Sequence, residues 1–195
     1  NHPRAAVFVH RRLKSACVSQ FTSKDLATVA IHLKNNKTLY VASLYCHGDD
    51  RPAGDPIKNL VQHCNDHQIP LLIGADSNSH SSFWGNDPPD DRGEAFEDFI
   101  LGYELDLLND TKRPTYHQGD KHTAIDITLV NYYALNSGFI SNWVHRDDDF
   151  TLSDHDRLDM DISTSPVIEQ VYCRNFANMD WRLFRLLLDE KLAET

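Results

Sequence analysis

Apolar and polar residues alternate from Leu26 to Leu33, which places Ala27, Val29, Ile31 and Leu33 on one face of a predicted strand. Ala5–His10 and Thr38–Tyr45 read as strands too, the second apolar on both sides. Pro70–Ala75 is a short continuous apolar run, the pattern of a fully buried strand. Before that run the period changes. Ile57, Leu60, Val61 and Cys64 recur at helical spacing behind Asp55-Pro56, a cap residue followed by proline in the first turn, and so predict an amphipathic helix over Pro56–His67. The polar stretch Asp76–Asp91 predicts a long loop, which in a compact domain is functional or mobile. A helix follows over Arg92–Leu101, with Phe96, Phe99, Ile100 and Tyr103 on one side and Gly102 near its end. Leu105–Asn109, Thr123–Val130, Gly138–Val144 and Asp159–Ser163 complete the strands, and His117 and His122 flank a hairpin turn at Gly119-Asp120. Strands dominate without strict βαβ order. The expected fold is therefore an α/β sandwich of two sheets flanked by helices.

After Ser165-Pro166 the pattern loosens. A third helix is predicted over Met179–Leu192, with Asp180 at its cap, Met179 stapled to Phe184, and a stripe of Trp181, Phe184, Leu187 and Leu188. That stripe packs either on something outside the chain or back on the same domain. The organisation expected is one domain over residues 1–165 and a linker over 166–195.

At 195 residues, with 41% hydrophobic and 25% charged, the chain has ordinary globular composition. No apolar run approaches a membrane span, and no signal-peptide pattern opens the sequence. Its first residue is Asn1, as expected of a piece of something longer. The net charge of −10 argues against a protein that simply coats nucleic acid. The charge is uneven, however. Arg4, Arg11, Arg12, Lys14, Lys24, Lys34 and Lys37 face only Asp25 within the first 37 residues. A basic margin beside an acidic centre suits an enzyme that holds a polyanion at its rim, with Arg4, Arg11 and Arg12 as substrate-binding candidates. Cys17, Cys46, Cys64 and Cys173 are widely spaced, which points to reduced thiols and a nuclear or cytoplasmic setting.

Three short segments offer chemistry. In Gly74-Ala75-Asp76-Ser77-Asn78, a buried strand delivers a carboxylate to its carboxyl end with an amide two residues on, a pair suited to orienting a water and a phosphate oxygen. The same residues also make an ordinary Asx turn. In Ala124-Ile125-Asp126-Ile127, a carboxylate lies mid-strand, where it either meets a partner or faces solvent; a histidine is its natural partner. Ser153-Asp154-His155 offers a metal-seeking carboxylate beside an imidazole, or a polar turn. His63 and His67 are spaced i, i+4 but lack a His-Glu-x-x-His motif and are expected on a solvated face.

Each segment is weak alone, but their order is not. Tyr45 after a strand, then Gly-Ala-Asp-Ser-Asn, Ala-Ile-Asp and Ser-Asp-His, resembles the endonuclease/exonuclease/phosphatase family. The stretches "LLIGADSNSHSSFWG", "DDRGEAFEDFI", "LDLLNDTKRPTYH" and "AIDITLVN" resemble the endonuclease domain of arthropod non-LTR retrotransposons of the jockey-like and related clades, from about Arg4 to Ser163. The tail is similar to the linker that such polyproteins place before a reverse transcriptase. The resemblance implies a DNase-I-like four-layer sandwich and Mg²⁺-dependent (or Mn²⁺-dependent) nicking of DNA. It implies Asp76 as water activator, Asn78 on the scissile phosphate, His155 stabilising its charge, Asp126 orienting His155, Asp154 near the metal and Tyr45 beside the leaving group. It also implies an asparagine and a metal-binding glutamate on strands that precede the Arg4–Val9 segment. No counterpart of either stands in this sequence, so a weak or inactive nuclease is expected, with the fold incomplete at its N-terminus. Asp156 is a further departure, expected to add negative charge near the phosphate. A phosphoesterase of the same fold acting on lipid or inositol phosphates, or a non-catalytic remnant, are the alternatives.

Overall fold

The computed structural model describes residues 2–48, 52–86, 88–110, 112–147 and 152–163, together with Trp181 and Leu183. Among them, strands β1 (Ser15–Cys17), β2 (Leu26–His32), β3 (Thr38–Tyr45), β4 (Leu71–Asp76), β5 (Leu105–Leu107) and β8 (Asp126–Asn131) build one mixed sheet in the order β1-β2-β3-β4-β8-β5. The hairpin β6 (Tyr116–Gln118) and β7 (Lys121–Thr123) and the pair β9 (Ile140–Arg146) and β10 (Arg157–Ile162) stand apart from it. Helices α1 (Asp55–Asp66), α2 (Asp91–Gly102) and α3 (Tyr132–Asn136) complete the domain.

The two faces of the large sheet differ. On the helix side, Leu26, Ala42, Leu44, Ile73, Ala75, Ile127 and Leu129 pack with Ile57, Leu60, Val61 and Cys64 of α1 and Phe96, Phe99 and Ile100 of α2 in one continuous core. Pro56 sits in the first turn of α1, where its missing N–H costs no hydrogen bond; Gly54 takes the cap position in place of the expected Asp55. On the other side, Leu72, Val130 and Ala134 form a smaller cluster against Val41, Leu108, Ile140 and Met160, so β9 and β10 supply the second layer. The result is a sandwich whose second sheet, among the described residues, is two strands wide.

That asymmetry decides which face of β2 is buried. In β2 the deeply buried residues are Leu26, Thr28 and Ala30, while Ala27, Val29 and Ile31 are only half-buried. Sequence alternation fixes the period but not which face receives the complete layer. Ala5–His10 is not a strand. Ala5 is buried and its N–H bonds to the Lys24 carbonyl, but the segment has no ladder partner among the described residues, and Phe8 is 97% exposed. The tail helix expected over Met179–Leu192 lies outside the described residues, apart from Trp181 and Leu183, which are helical and about half-exposed.

The loop from Ser77 to Asp90 is anchored. Ser77, Ser79, Ser81 and Trp84 are buried, and the Trp84 ring meets Phe96 edge-on at 6.0 Å. Asp90 caps α2 by accepting from Gly93 N at 2.6 Å and from His80 N at 3.1 Å. Gly93 itself lies so close to this loop that a Cβ would fall 1.7 Å from the His80 carbonyl oxygen. Gly93→Ala is therefore expected to lower stability by about 3 kcal/mol, because backbone must move to admit one methyl group. Urea unfolding measures this; an unchanged midpoint would mean that the loop retreats from α2 freely.

Candidate active site

The register of the large sheet sets out the site. On the face toward β9 and β10, one row of cross-strand neighbours is apolar: Val29, Val41, Leu72 and Val130. Two residues further along, the same face carries Ser43, Gly74 and Thr128, and two further again Tyr45, Asp76 and Asp126. Side chains along this face thus pass from apolar to small and polar to chemically active at the carboxyl ends of the parallel pair β3 and β4. Trp143 of β9 donates to Thr128 Oγ1 at 3.0 Å, closing the layer just below the carboxylates.

His155 comes to Asp126 from the segment before β10. Tyr116 bridges to His155, His117 N donates to the Asp154 carbonyl at 2.8 Å, and Asp156 N donates to the Thr115 carbonyl at 2.8 Å, so residues 154–156 run along β6. This places His155 Nδ1 2.8 Å from Asp126 Oδ2. Asp126 therefore lies neither on a solvent face nor unpartnered. Thr115, which is buried, donates to the same carboxylate oxygen at 2.7 Å and accepts from the N–H groups of Ile125 and Asp126. Asn109 braces the strand with bonds to Asp126 O and Thr128 N.

Electrostatics set Asp76 apart from an ordinary carboxylate. Burial pushes the Asp76 carboxyl up to about 6, the neighbouring Asp126 carboxylate adds to the rise, and His155 and Asn78 oppose it. His155 is raised above its ordinary value, chiefly by its hydrogen bond to Asp126, against the effect of burial. Asn78 N donates to Asp76 Oδ1 at 3.3 Å, and Asn78 takes a left-handed φ of 44°. The Asx turn is thus real, and it holds Asn78 at the site.

Tyr45, Asp76, Asn78, Asp154 and His155 all line one cleft of about 400 Å³, with Tyr116, Lys121 and Thr123 from the β6–β7 hairpin on its rim. A larger cavity of about 600 Å³ opens at the opposite end of the sheet beside Tyr40, Tyr132 and Phe139, but it contains none of these carboxylates. Arg4, Arg11 and Arg12 do not line the cleft. Arg4 forks onto Asp25 at 2.5 and 2.7 Å and lies 4.9 Å over the Tyr45 ring, so it supports Tyr45 from behind. Asp154 is exposed, and the Tyr116 hydroxyl hydrogen-bonds to it. Asp156 does not add charge at the cleft. It turns away to accept from His117 Nε2 at 2.9 Å and the buried His145 Nε2 at 2.8 Å. His63 is not on a solvated face either; its ring packs 5.0 Å from Phe21.

Arg92 carries no signal in the sequence, yet it ties the site together. From the first turn of α2 its guanidinium donates to Asn78 O at 3.0 Å, Gly48 O at 2.8 Å and His47 O at 3.0 Å. One planar fork thereby holds the loops after β3 and β4 against each other.

The residues present fit a divalent cation. Asp76 and Asp126 bring carboxylate oxygens within 4.8 Å of each other, with the His155 ring beside them. Two carboxylates this close repel, which contributes to the raised Asp76, and a cation beside them relieves that repulsion. Among the described residues no glutamate lines the cleft.

A family model described as endonuclease-reverse transcriptase matches residues 39–158, more than half of the chain. The chain belongs to this family. The matched stretch of this endonuclease-reverse transcriptase member contains Tyr45, Asp76, Asn78, Asp126, Asp154 and His155 and excludes the three arginines. Among solved structures, it is similar to the endonuclease domain of TRAS1, a telomere-specific non-LTR retrotransposon, with a TM-score of 0.66 and 22% identity over 79% of this chain and 70% of that one. It is also similar to the human Nocturnin catalytic domain, with a TM-score of 0.52 and 16% identity over 81% of this chain and 62% of that one. Among curated proteins, none matches significantly. The fold is that of the endonuclease/exonuclease/phosphatase enzymes, DNase-I-like nucleases and phosphatases that typically depend on a divalent metal. No helix among the described residues is long and apolar enough to cross a membrane.

Proposed function

We propose that this chain is a retrotransposon-type DNA endonuclease domain, nicking target DNA by Mg²⁺- or Mn²⁺-dependent hydrolysis of a phosphodiester and working beside a reverse transcriptase of the same polyprotein. The observation that carries the reading is the convergence of Asp76, Asn78 and the Asp126–His155 pair on one cleft. The likeness to the TRAS1 endonuclease favours DNA over lipid or inositol phosphates.

In this reading Asp76 takes a proton from the attacking water. A carboxyl raised to about 6 is a better base near neutral pH than an ordinary aspartate. His155, whose protonated form is favoured by its hydrogen bond to Asp126, presents its other ring nitrogen to the non-bridging oxygens, where charge accumulates in the transition state. The Asn78 amide fixes the phosphate, and Tyr45 stands at the leaving-group side. A divalent cation held at Asp76, with Asp154 nearby, would supply Lewis-acid stabilisation of the phosphate and lower the charge between the carboxylates. With no glutamate among the described residues of the cleft, the ion is fixed by few of them, and slow cleavage is expected.

Supercoiled plasmid, incubated with enzyme in excess and either Mg²⁺ or Mn²⁺, tests the reading. Nicking is expected that chelator and Asp76→Ala both remove. Faster turnover of inositol or lipid phosphoesters than of DNA would reassign the substrate. Nicking no greater than that of Asp76→Ala, with no cation binding, would make the chain a non-catalytic member of its family.

A further inference from the structure

We infer that His117 and His122 form a second cation site, separate from the carboxylate cleft and selective for borderline transition ions of the Zn²⁺, Ni²⁺ and Cu²⁺ class. The two residues are directly opposed across the β6–β7 hairpin. Gln118 and Lys121 close its two-residue turn, so His117 and His122 fall at the next, non-hydrogen-bonded pair, where side chains come closest. Consistent with this, His117 N turns outward to the Asp154 carbonyl. The rings meet with Nδ1 facing Nδ1 at 2.8 Å.

The partners of His117 determine what those nitrogens can do. Its Nε2–H donates to Asp156 Oδ2 at 2.9 Å, which leaves Nδ1 with a lone pair aimed at His122. Asp156 is itself fixed, accepting from His145 Nε2 at 2.8 Å. His145 is fully buried, and among the described residues its Nδ1 has no hydrogen-bond partner, so Nε2 is the nitrogen that meets Asp156. The chain His145–Asp156–His117 therefore has the form of the carboxylate–histidine–metal relay, in which an acidic group behind the ligand sets its tautomer and raises its basicity. His122 now bridges to His117 through a proton on Nδ1. Moving that proton to Nε2 leaves two lone pairs converging on one point.

The geometry is close to what a metal needs. Two imidazole nitrogens at 2.0–2.1 Å from a tetrahedral ion are about 3.3 Å apart, so the rings must open by about 0.5 Å. His122 is exposed, on a three-residue strand beside a Gly119-Asp120 turn, and can make that adjustment. Water completes the coordination. Imidazole suits Zn²⁺, Ni²⁺ and Cu²⁺, whereas the oxygen-rich cleft suits Mg²⁺ or Mn²⁺, so ligand chemistry keeps the two sites apart. Tyr116, Lys121 and Thr123 of the same hairpin line the cleft, so an ion at the histidine pair stiffens one wall of the active site. The site stands whether or not the chain cleaves DNA.

Calorimetric titration of the full chain with Zn²⁺, with histidine ring ¹⁵N shifts recorded in parallel, tests this. Wild type and Asp76→Asn are both expected to bind an equivalent of Zn²⁺ that millimolar Mg²⁺ does not displace, with the Nδ1 signals of His117 and His122 moving together. His122→Ala should lose that equivalent while keeping its unfolding midpoint. Asp156→Asn, where it folds, should weaken binding about 10–100-fold. Unaltered binding by His122→Ala, no binding by wild type, or loss of the equivalent in His67→Ala instead would each overturn the assignment.

Discussion

Asp76→Asn is expected to remove plasmid nicking and, in the same chain, to raise stability above pH 6. The two effects share one cause. An aspartate in an unfolded chain loses its proton near pH 4. In the folded chain burial and the adjacent Asp126 carboxylate hold the Asp76 proton up to about 6. Between those values the native state binds more protons than the unfolded state, so stability falls as pH rises from about 4 to about 6 and then stays low. Asparagine is neutral throughout, keeps an oxygen for the Asn78 N–H, and avoids that fall. The difference is expected at about 1–3 kcal/mol at pH 7.5 and close to nothing at pH 4. Urea unfolding of both proteins in the presence of EDTA, at both pH values, measures it. Nicking by wild type should rise with pH through the same region as the carboxylate forms. Equal stability of the two proteins at pH 7.5 would mean that Asp76 ionises freely and has no special claim to be the base.

The site was partly legible in the sequence, for identifiable reasons. Thr38–Tyr45 was readable to the residue, and the run ending at Ala75 predicted that Asp76 would leave a buried strand at its carboxyl end. Asp126 was conspicuous because a carboxylate between two isoleucines needs a partner, and His155 is that partner. Arg92 and Thr115 were not legible. Their roles consist of hydrogen bonds to backbone and to Asp126 that are distant in the sequence, and an arginine in a helix's first turn or a threonine after a proline carries no periodic mark of such a role. Asp156 was misread because adjacency to His155 suggested proximity to the phosphate, whereas neighbouring residues on an extended segment point to opposite sides. The buried face of β2 was not legible for a related reason: alternation is symmetric between faces until the neighbouring layers are known.

Asp126→Asn should be nearly as damaging to cleavage as loss of Asp76, although Asp126 acts only through His155. The carboxylate does two things there. It accepts the Nδ1 proton, which aims the ring, and that hydrogen bond, together with its charge, raises His155 against the effect of burial. Asparagine preserves the shape and the bond from Thr115, but it removes the charge and can present an NH₂ group where Nδ1 needs an acceptor. In serine proteases the equivalent exchange behind a catalytic histidine costs about 10⁴ in rate through the wrong tautomer. A fall of roughly 10²–10⁴ is expected here, enough to bring slow nicking to background. The decisive reading is independent of activity. With the carboxylate gone and burial still acting, the His155 titration midpoint should drop from above its ordinary value to below it, as followed by histidine ring NMR. Far-ultraviolet circular dichroism should stay unchanged, because Tyr116 and Thr115 still fix the segment by backbone bonds. An unmoved His155 midpoint would separate the two residues functionally and return the charge-stabilising role to other groups at the cleft, such as Lys121 on its rim.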